Sequence, residues 1–233
     1  MTQSDFIEKV KELGLEVTED KLYKLEKYYE LLVSWNEKIN LTAITEKNDV
    51  YLKHFYDSLT LTKIVNLNEM DNFCDIGTGA GFPGIVIKIF FPELQVTLID
   101  SLNKRIDFLK LVIEELDLHK IVAIHSRIED YGKTNREMFD VVTARAVTNM
   151  NNLLEFSIPL VKVNKYFIPM KGSNAELDNI DNALKVLNSK IEDRIEFKLP
   201  YEDSTRNLIK FVKLDKTNNK YPRKFSDIKK KSL

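Results

Sequence analysis

The chain holds a single cysteine, Cys74, in 233 residues, so no intrachain disulfide can form and a reducing, cytoplasmic setting is the simplest expectation. Histidine is almost as scarce. Three histidines and one cysteine give no set of ligands at useful spacing, and no metal is expected. Long apolar runs are missing: the most apolar stretch, Phe82 to Phe91, is far too short for a bilayer span and contains Lys88, so no membrane association is expected. Asp5, Glu8, Lys9 and Lys11 interrupt any signal-peptide core at the start of the chain. Neither sign of charge is in excess. A net charge of -1 cannot recruit nucleic acid through an overall basic field, which leaves that task to local patches. No G-x-S-x-G elbow and no Walker A loop occur. What remains is a globular composition, 43% hydrophobic and 30% charged, long enough for one large domain or a domain with an extension.

Glycine is scarce too, and four of the seven glycines lie between Gly77 and Gly84. They follow Phe73-Cys74-Asp75-Ile76, a short apolar run ending in an acid, and precede a segment that reads as a helix. Nineteen residues after Gly81, a second apolar run, Val96 to Ile99, ends in Asp100. This pattern builds a nucleotide-shaped pocket at the edge of a parallel sheet: glycines let the backbone approach the ligand, and the second acid accepts hydrogen bonds from ribose hydroxyls. Gly79 to Gly84 fits G-x-G-x-x-G, which suggests NAD. Counted from Gly77, however, Phe82 takes the third-glycine position, where close helix–strand packing wants no side chain. Asp75, just before the first glycine, would also face the like charge of a pyrophosphate. It suits a cationic ligand such as S-adenosylmethionine, with its amino and sulfonium groups. The residues favour S-adenosylmethionine; NAD and a ligand-free turn stay open.

The first 65 or so residues read as helical. Leu22, Leu25, Tyr28, Tyr29, Leu32 and Trp35 keep the rhythm of one apolar helix face, after an N-cap at Thr18. Trp35 to Thr42 reads as a connection, and a second helix is expected from Asp49 to about Ile64. From Asn72 onward, short β-rich runs (Phe73–Ile76, Val96–Ile99, Ile121–Ile124, Phe139–Thr143, Lys165–Ile168) alternate with helix-length segments. That is the pattern of an α/β, Rossmann-like fold with a mostly parallel sheet covered on both faces. Glu192–Leu199 and Asn207–Leu214 are expected to form an antiparallel hairpin at one edge, giving about seven strands. The expected domains are a helical extension (1–65), a catalytic domain (66–214) and a basic tail (215–233). The last eighteen residues hold seven Lys or Arg against Asp227 alone, and read as a mobile segment.

Several constellations carry candidate chemistry. Asp100 is assigned to the ribose in preference to a helix cap because of its spacing from the glycines. Lys104 and Arg105 are equally well read as rim cations or as a solvated helix turn. His125 to Asp130 follows the third strand, where Ile128 and Glu129 would border an adenine, or form an ordinary turn. Thr143-Ala144-Arg145-Ala146-Val147 ends the fourth strand at the topological switch point, where acceptors sit, and a guanidinium there suits a phosphate or carboxylate. His54 and Asp57 are read as a capped or partly buried pair rather than a proton relay.

Taken in order, Trp35-Asn36, Asn40 to Ile44, His54 with Asp57-Ser58-Leu59, the loop Asp75 to Gly84, Asp100-Ser101 with Lys104-Arg105, Arg127 with Glu129, Arg145-Ala146, Lys171-Gly172 and Tyr221-Pro222-Arg223 resemble the bacterial 16S ribosomal RNA guanine-N7 methyltransferase family, also called glucose-inhibited division protein B. The resemblance covers nearly the whole chain. It implies a seven-stranded class I methyltransferase with a helical extension, in which the matches to Gly77, Phe82, Ile128, Glu129 and Arg145 bind or border S-adenosylmethionine. It further implies methylation of guanine 527 of 16S RNA. The expected partner is 16S RNA or the small ribosomal subunit, met by a monomer. Two features depart from the pattern. Asn164 replaces a glycine before the fifth strand, and Lys224 to Lys231 replaces a glycine- and proline-bearing end.

Guanine N7 carries a lone pair at neutral pH, so this chemistry needs alignment rather than a general base. The motif assigns cofactor contacts to Asp75, Gly77, Gly79 and Asp100, and the resemblance adds Phe82, Ile128, Glu129 and Arg145. Arg145 would also position the acceptor, Phe82 would offer it a platform, and Lys104, Arg105, Lys171 and Arg223 would grip RNA phosphates. The rivals are a small-molecule or protein methyltransferase on the same fold, an NAD-dependent oxidoreductase, and a non-enzymatic RNA-binding module.

Overall fold

The structure is a computed structural model describing residues 1–145 and 147–233. Ala146, within the Arg145-Ala146 motif, lies outside the described residues. Seven strands form one sheet: β1 (Asn72–Ile76), β2 (Gln95–Asp100), β3 (Ile121–His125), β4 (Phe139–Arg145), β5 (Val161–Lys171), β6 (Ser189–Lys198) and β7 (Thr205–Lys213). Their order is β3-β2-β1-β4-β5-β7-β6, with the first five parallel and β7 antiparallel to both neighbours. The order reverses between β1 and β4, so the crevice falls where their carboxyl ends diverge. The Rossmann-like fold and its antiparallel edge hairpin are as the sequence implies.

Strand parity decides what faces what. Successive residues alternate between faces, and Phe73 on β1, Val141 on β4 and Leu208 on β7 join the core shared with the N-terminal helices. Cys74, Val142 and Ile209 join the opposite core, with the helix Met150–Ser157. Asp75, Arg145 and Arg206 therefore belong to the N-terminal face. The strands β1 and β4 are buried almost throughout, which is why they read as continuous apolar runs rather than alternating ones.

On that face, the helix Glu19–Ile39 starts at Thr18, whose hydroxyl accepts the Lys21 N–H at 3.3 Å. It runs past Trp35, correcting the expected connection there. Trp35 and Ile39, one helical turn apart, both pack on the core, Trp35 against Phe108 at 5.7 Å, and the helix ends only where Asn40 turns left-handed. The expected second helix is a rod of changing pitch: α-helix at Lys47–Val50, π-helix at Tyr51–Tyr56, α-helix at Asp57–Leu59 and 3₁₀-helix at Thr60–Lys63. No described helix is long and apolar enough to cross a membrane.

The two departures from the family pattern have structural readings. Asn164 takes a φ of 63°, left-handed backbone that asparagine tolerates where glycine would be the default. The basic tail does not behave as the mobile segment expected of it. Tyr221 and Ile228 are buried, Phe225–Lys230 is helical, and Arg136 donates to the carbonyls of Tyr221 and Thr217, both at 2.5 Å.

Candidate active site

The loop after β1 is shaped by positive backbone angles. Gly77 (φ 63°) and Gly79 (φ 62°) are left-handed, a conformation that strains any residue with a Cβ. A Cβ on Gly77 would come 2.7 Å from Cγ2 of Val147, whereas one on Gly79 would meet nothing within 4 Å among the described residues. Gly79 thus opens into free space beside the backbone. A Cβ on Gly84 would run into the Leu98 side chain of β2. A close-packing glycine thus stands at Gly84, two residues beyond the position that Phe82 takes when the loop is counted from Gly77.

Asp75 is fully buried inside the loop. Its Oδ2 accepts from the Thr78 hydroxyl at 2.6 Å and the Gly84 N–H at 2.9 Å, while Oδ1 has no partner among the described residues. Burial pushes its carboxyl up to about 7, against the pull of those two bonds. The side chain organises the loop and lines none of the cavities at its mouth. That corrects the expectation that Asp75 meets a cationic ligand. Tyr28 reinforces the loop from the N-terminal helix, donating to the Ala80 carbonyl at 2.5 Å.

Asp100 is 2% exposed and sits where β2 ends. Oδ2 accepts from the Gly79 N–H at 3.0 Å and from Arg105 at 3.2 Å, and Oδ1 accepts from the Leu102 N–H at 2.9 Å. It is not a helix cap: the following helix starts at Asn103 without a side-chain cap. A cavity of about 350 Å³ opens beside it, walled by Gly77, Asp100, Arg105, Arg127, Ile128 and Glu129, with Phe156 and Phe225 at its apolar side. Ile128 and Glu129 open the helix Ile128–Thr134, and Glu129 is buried. The structure thus gathers Gly77, Asp100, Ile128 and Glu129 at one cavity. A smaller space of about 170 Å³ continues along Gly77 to Ala80 past Phe82, Arg105 and Arg145.

Arg145 ends β4 and turns toward the N-terminal rod, as its parity requires. Nη1 donates to the Lys53 carbonyl at 2.9 Å and lies 3.5 Å from Asp57, and Nη2 is 3.0 Å from Nδ1 of His54. Nδ1 also lies 3.1 Å from the Lys53 carbonyl, so it meets a donor and an acceptor at once, while Nε2 is 2.9 Å from the Thr42 hydroxyl. Burial and the nearby Arg145 charge push His54 down to about 3. Asp57 is also held by Arg206, at 3.0 and 3.1 Å; burial raises its carboxyl while both guanidiniums pull it back. Lys53, His54, Asp57, Arg145, Lys171 and Arg206 line a cleft of about 720 Å³, which meets the first cavity at Val147 and Thr148.

Other expected contacts are placed differently. Phe82 is 4% exposed, with His54 stacked on it at 4.4 Å and Tyr28 at 5.2 Å, so its ring offers no free platform for a base. Arg105 belongs to the cofactor-side cavities and is paired with Asp100, rather than reaching outward for phosphates. Lys171 lines the cleft but is tied to Glu176 and the Thr148 carbonyl. Arg223 grips Glu155 through two bonds of 2.8 and 2.6 Å, which makes it an anchor of the tail and not a free phosphate ligand. Lys104 is exposed on the first helical turn. Sequence reasoning missed Lys53, Arg206 and Phe225. Lys53 stands beside the His54 motif, a signal within reach; Arg206 and Phe225 carry none.

A seven-stranded sheet of this order, with a glycine loop after β1 and a buried acid ending β2, defines a Rossmann-like class I methyltransferase. Its fold matches that of M. jannaschii TYW2, solved in complex with AdoMet, at a TM-score of 0.53 and 16% identity over 65% of this chain and 72% of that one. The chain belongs to the GidB family, rRNA small subunit methyltransferase G, whose model matches residues 21–204. It is similar to curated members named ribosomal RNA small subunit methyltransferase G, from Streptococcus gordonii (50% identical over 96% of both chains) and Exiguobacterium sibiricum (48%, also 96% of both).

Proposed function

We propose that this protein transfers the methyl group of S-adenosylmethionine to N7 of guanine 527 in 16S ribosomal RNA, acting in the cytoplasm as a monomer. One observation carries the reading: a cavity at the ends of β1 to β3, lined by Asp100 and Glu129 together with Arg105 and Arg127, opens at Val147 and Thr148 into a cleft of about 720 Å³ where Lys53, Arg145, Lys171 and Arg206 outnumber Asp57 and Glu176.

The residues present fit the cofactor. Gly79 leaves space beside the loop among the described residues, and Asp100 is an ionisable acceptor facing the cavity. Asp100 would hold the ribose, Ile128 and Glu129 the adenine, and the Gly77–Gly79 backbone the methionine portion. When bound, S-adenosylmethionine supplies an electrophilic methyl on a sulfonium. The protein's part is alignment and the exclusion of water. Guanine N7 needs no deprotonation, and the cleft's own groups agree with that demand: His54 has its Nδ1 occupied by Arg145 and its Nε2 on Thr42, and Asp57 is neutralised by two arginines. Lys53, paired with Asp49 and Glu202, and Lys171, paired with Glu176, would exchange these acids for the phosphates flanking the base, while Arg206 stays on Asp57.

The test is incubation with labelled S-adenosylmethionine and either naked 16S RNA or small-subunit particles, followed by mapping of the methylated base. Label at N7 of guanine 527 is the expected result. Label elsewhere, or on a protein or small molecule only, overturns it.

A further inference from the structure

The cofactor cavity has a wall that the nucleotide-binding motifs do not supply. Phe225, at the start of the tail helix, lines it together with Ile128 and Phe156. Its ring is 43% exposed, and the Arg127 guanidinium lies 5.6 Å from its centroid. The rest of the tail is firmly held around this one open ring. Arg223 clamps Glu155, which is fully buried. Pro222 packs on Gly132 of the helix Ile128–Thr134, where a Cβ would already come 3.2 Å from its Cγ. Ile228, three residues past Phe225, is buried in the core. A segment anchored on both sides of an exposed aromatic ring presents that ring rather than hiding it, and the ring lies beside Arg127, the residue before Ile128 and Glu129.

We propose that Phe225 closes the adenine end of the cofactor site, so that cofactor affinity depends on a docked C-terminal segment. The proposal rests on the cofactor reading above. Ile128 and Phe225 supply apolar surface for a flat purine, and Arg127, over the ring, adds a cation that keeps the phenyl in place. Because the ring meets the base, it contributes equally to the substrate, to S-adenosylhomocysteine and to adenosine.

The experiment is calorimetry on the full chain with S-adenosylmethionine, S-adenosylhomocysteine and adenosine. Phe225→Ala is expected to weaken all three by roughly tenfold, the share of one stacked ring, and Phe225→Tyr to stay within about twofold of wild type. Glu155→Gln, which loosens the clamp at a distance from the ligand, should weaken all three in the same proportion to one another. Asp100→Ala serves as the control for the site itself. If Asp100→Ala loses affinity and Phe225→Ala does not, the proposal is overturned and the cofactor reading stands. If Phe225→Ala weakens S-adenosylmethionine but leaves adenosine unchanged, the assignment to the adenine end is overturned. If the wild-type chain binds none of the three, both readings are overturned.

Discussion

Nη2 of Arg145 lies 3.0 Å from Nδ1 of His54, joining the last residue of β4 to the π-turn of the N-terminal rod. The pair links the extension to the sheet at the edge of the acceptor cleft. A regular α-helical turn closes each carbonyl on the N–H four residues ahead; the π-turn at Tyr51–Tyr56 departs from that pattern where Lys53, His54 and Asp57 all turn to one guanidinium. The extension therefore completes the site.

Arg145→Ala should cost both stability and activity. The guanidinium holds His54, the Lys53 carbonyl and Asp57 together, and its loss leaves Asp57 with Arg206 alone. A loss of roughly 2–3 kcal/mol is expected, less than for a fully orphaned buried charge. Methyl transfer at saturating cofactor should fall strongly while cofactor affinity falls less. Urea unfolding and single-turnover assays measure the two separately, and a normal methylation rate would remove Arg145 from the acceptor site.

His54 gives the pH dependence its sign. The unfolded chain protonates this ring near 6.5, and the native chain holds it neutral down to about 3. The unfolded state binds more protons in that window, so the contribution is complete above pH 6.5 and is lost as pH falls toward 3. Between pH 6.5 and 5 the loss is about 1.6 kcal/mol. His54→Gln, which can still accept from Arg145 but does not titrate there, should lose correspondingly less over that interval. Parallel urea titrations of both chains at the two pH values check this; equal losses would mean that His54 is not held neutral.

Asp100→Ala should weaken S-adenosylmethionine binding by on the order of 1.5–3 kcal/mol, as expected for removing a charged acceptor. RNA binding should change little, because the carboxylate faces the cofactor cavity and not the cleft. Calorimetry for the cofactor and filter binding for the RNA decide it; an unchanged cofactor affinity would end the assignment.

Gly79→Ala separates fold from site. The new Cβ meets no atom of the described residues, so the fold should lose only about 1 kcal/mol for a left-handed alanine. The space it fills is where the loop backbone and ligand are expected to meet, so cofactor binding should fall far more than stability does. At Gly77 the same change also collides with Val147 and disturbs the junction of cavity and cleft. Normal cofactor binding by Gly79→Ala would make the loop a mere turn.

What the sequence made legible was local. The glycines and Asp100 lie at strand ends, where spacing points to them; for Ile128 and Glu129 spacing leaves a pocket wall and an ordinary turn equally open, and only the family resemblance chooses. Parity along β4 could also have shown that Arg145 shares a face with Asp75. Other features depend on partners far away in sequence. Glu155 and Arg223, or Asp57 and Arg206, have no signal in their own neighbourhoods, and a tail rich in lysine hides the anchors Tyr221 and Ile228 between its charges. Trp35 to Ile39 misleads because polar Asn36, Glu37 and Lys38 interrupt the stripe, although the two apolar residues are one turn apart. Phe82 misleads because its sequence position does not reveal the aromatic cluster of Tyr28, His54 and Phe55 around it.

The tail's two tasks can be separated by their response to salt. The sequence alone suggests that removing everything after Leu214 weakens mainly RNA binding. With Tyr221, Arg223 and Ile228 built into the core and Phe225 at the cavity wall, the deletion should instead lower the melting temperature and the cofactor affinity together. Lys229, Lys230 and Lys231 are exposed, so replacing all three with alanine should leave stability and cofactor affinity near wild type. If these lysines meet phosphates, RNA affinity should drop at low salt. The dependence of its logarithm on the logarithm of salt should then become shallower by somewhat under one unit for each phosphate no longer neutralised. Filter binding across a salt series reads that slope directly. An unchanged slope would take these lysines out of the RNA interface and leave the tail with its structural task alone.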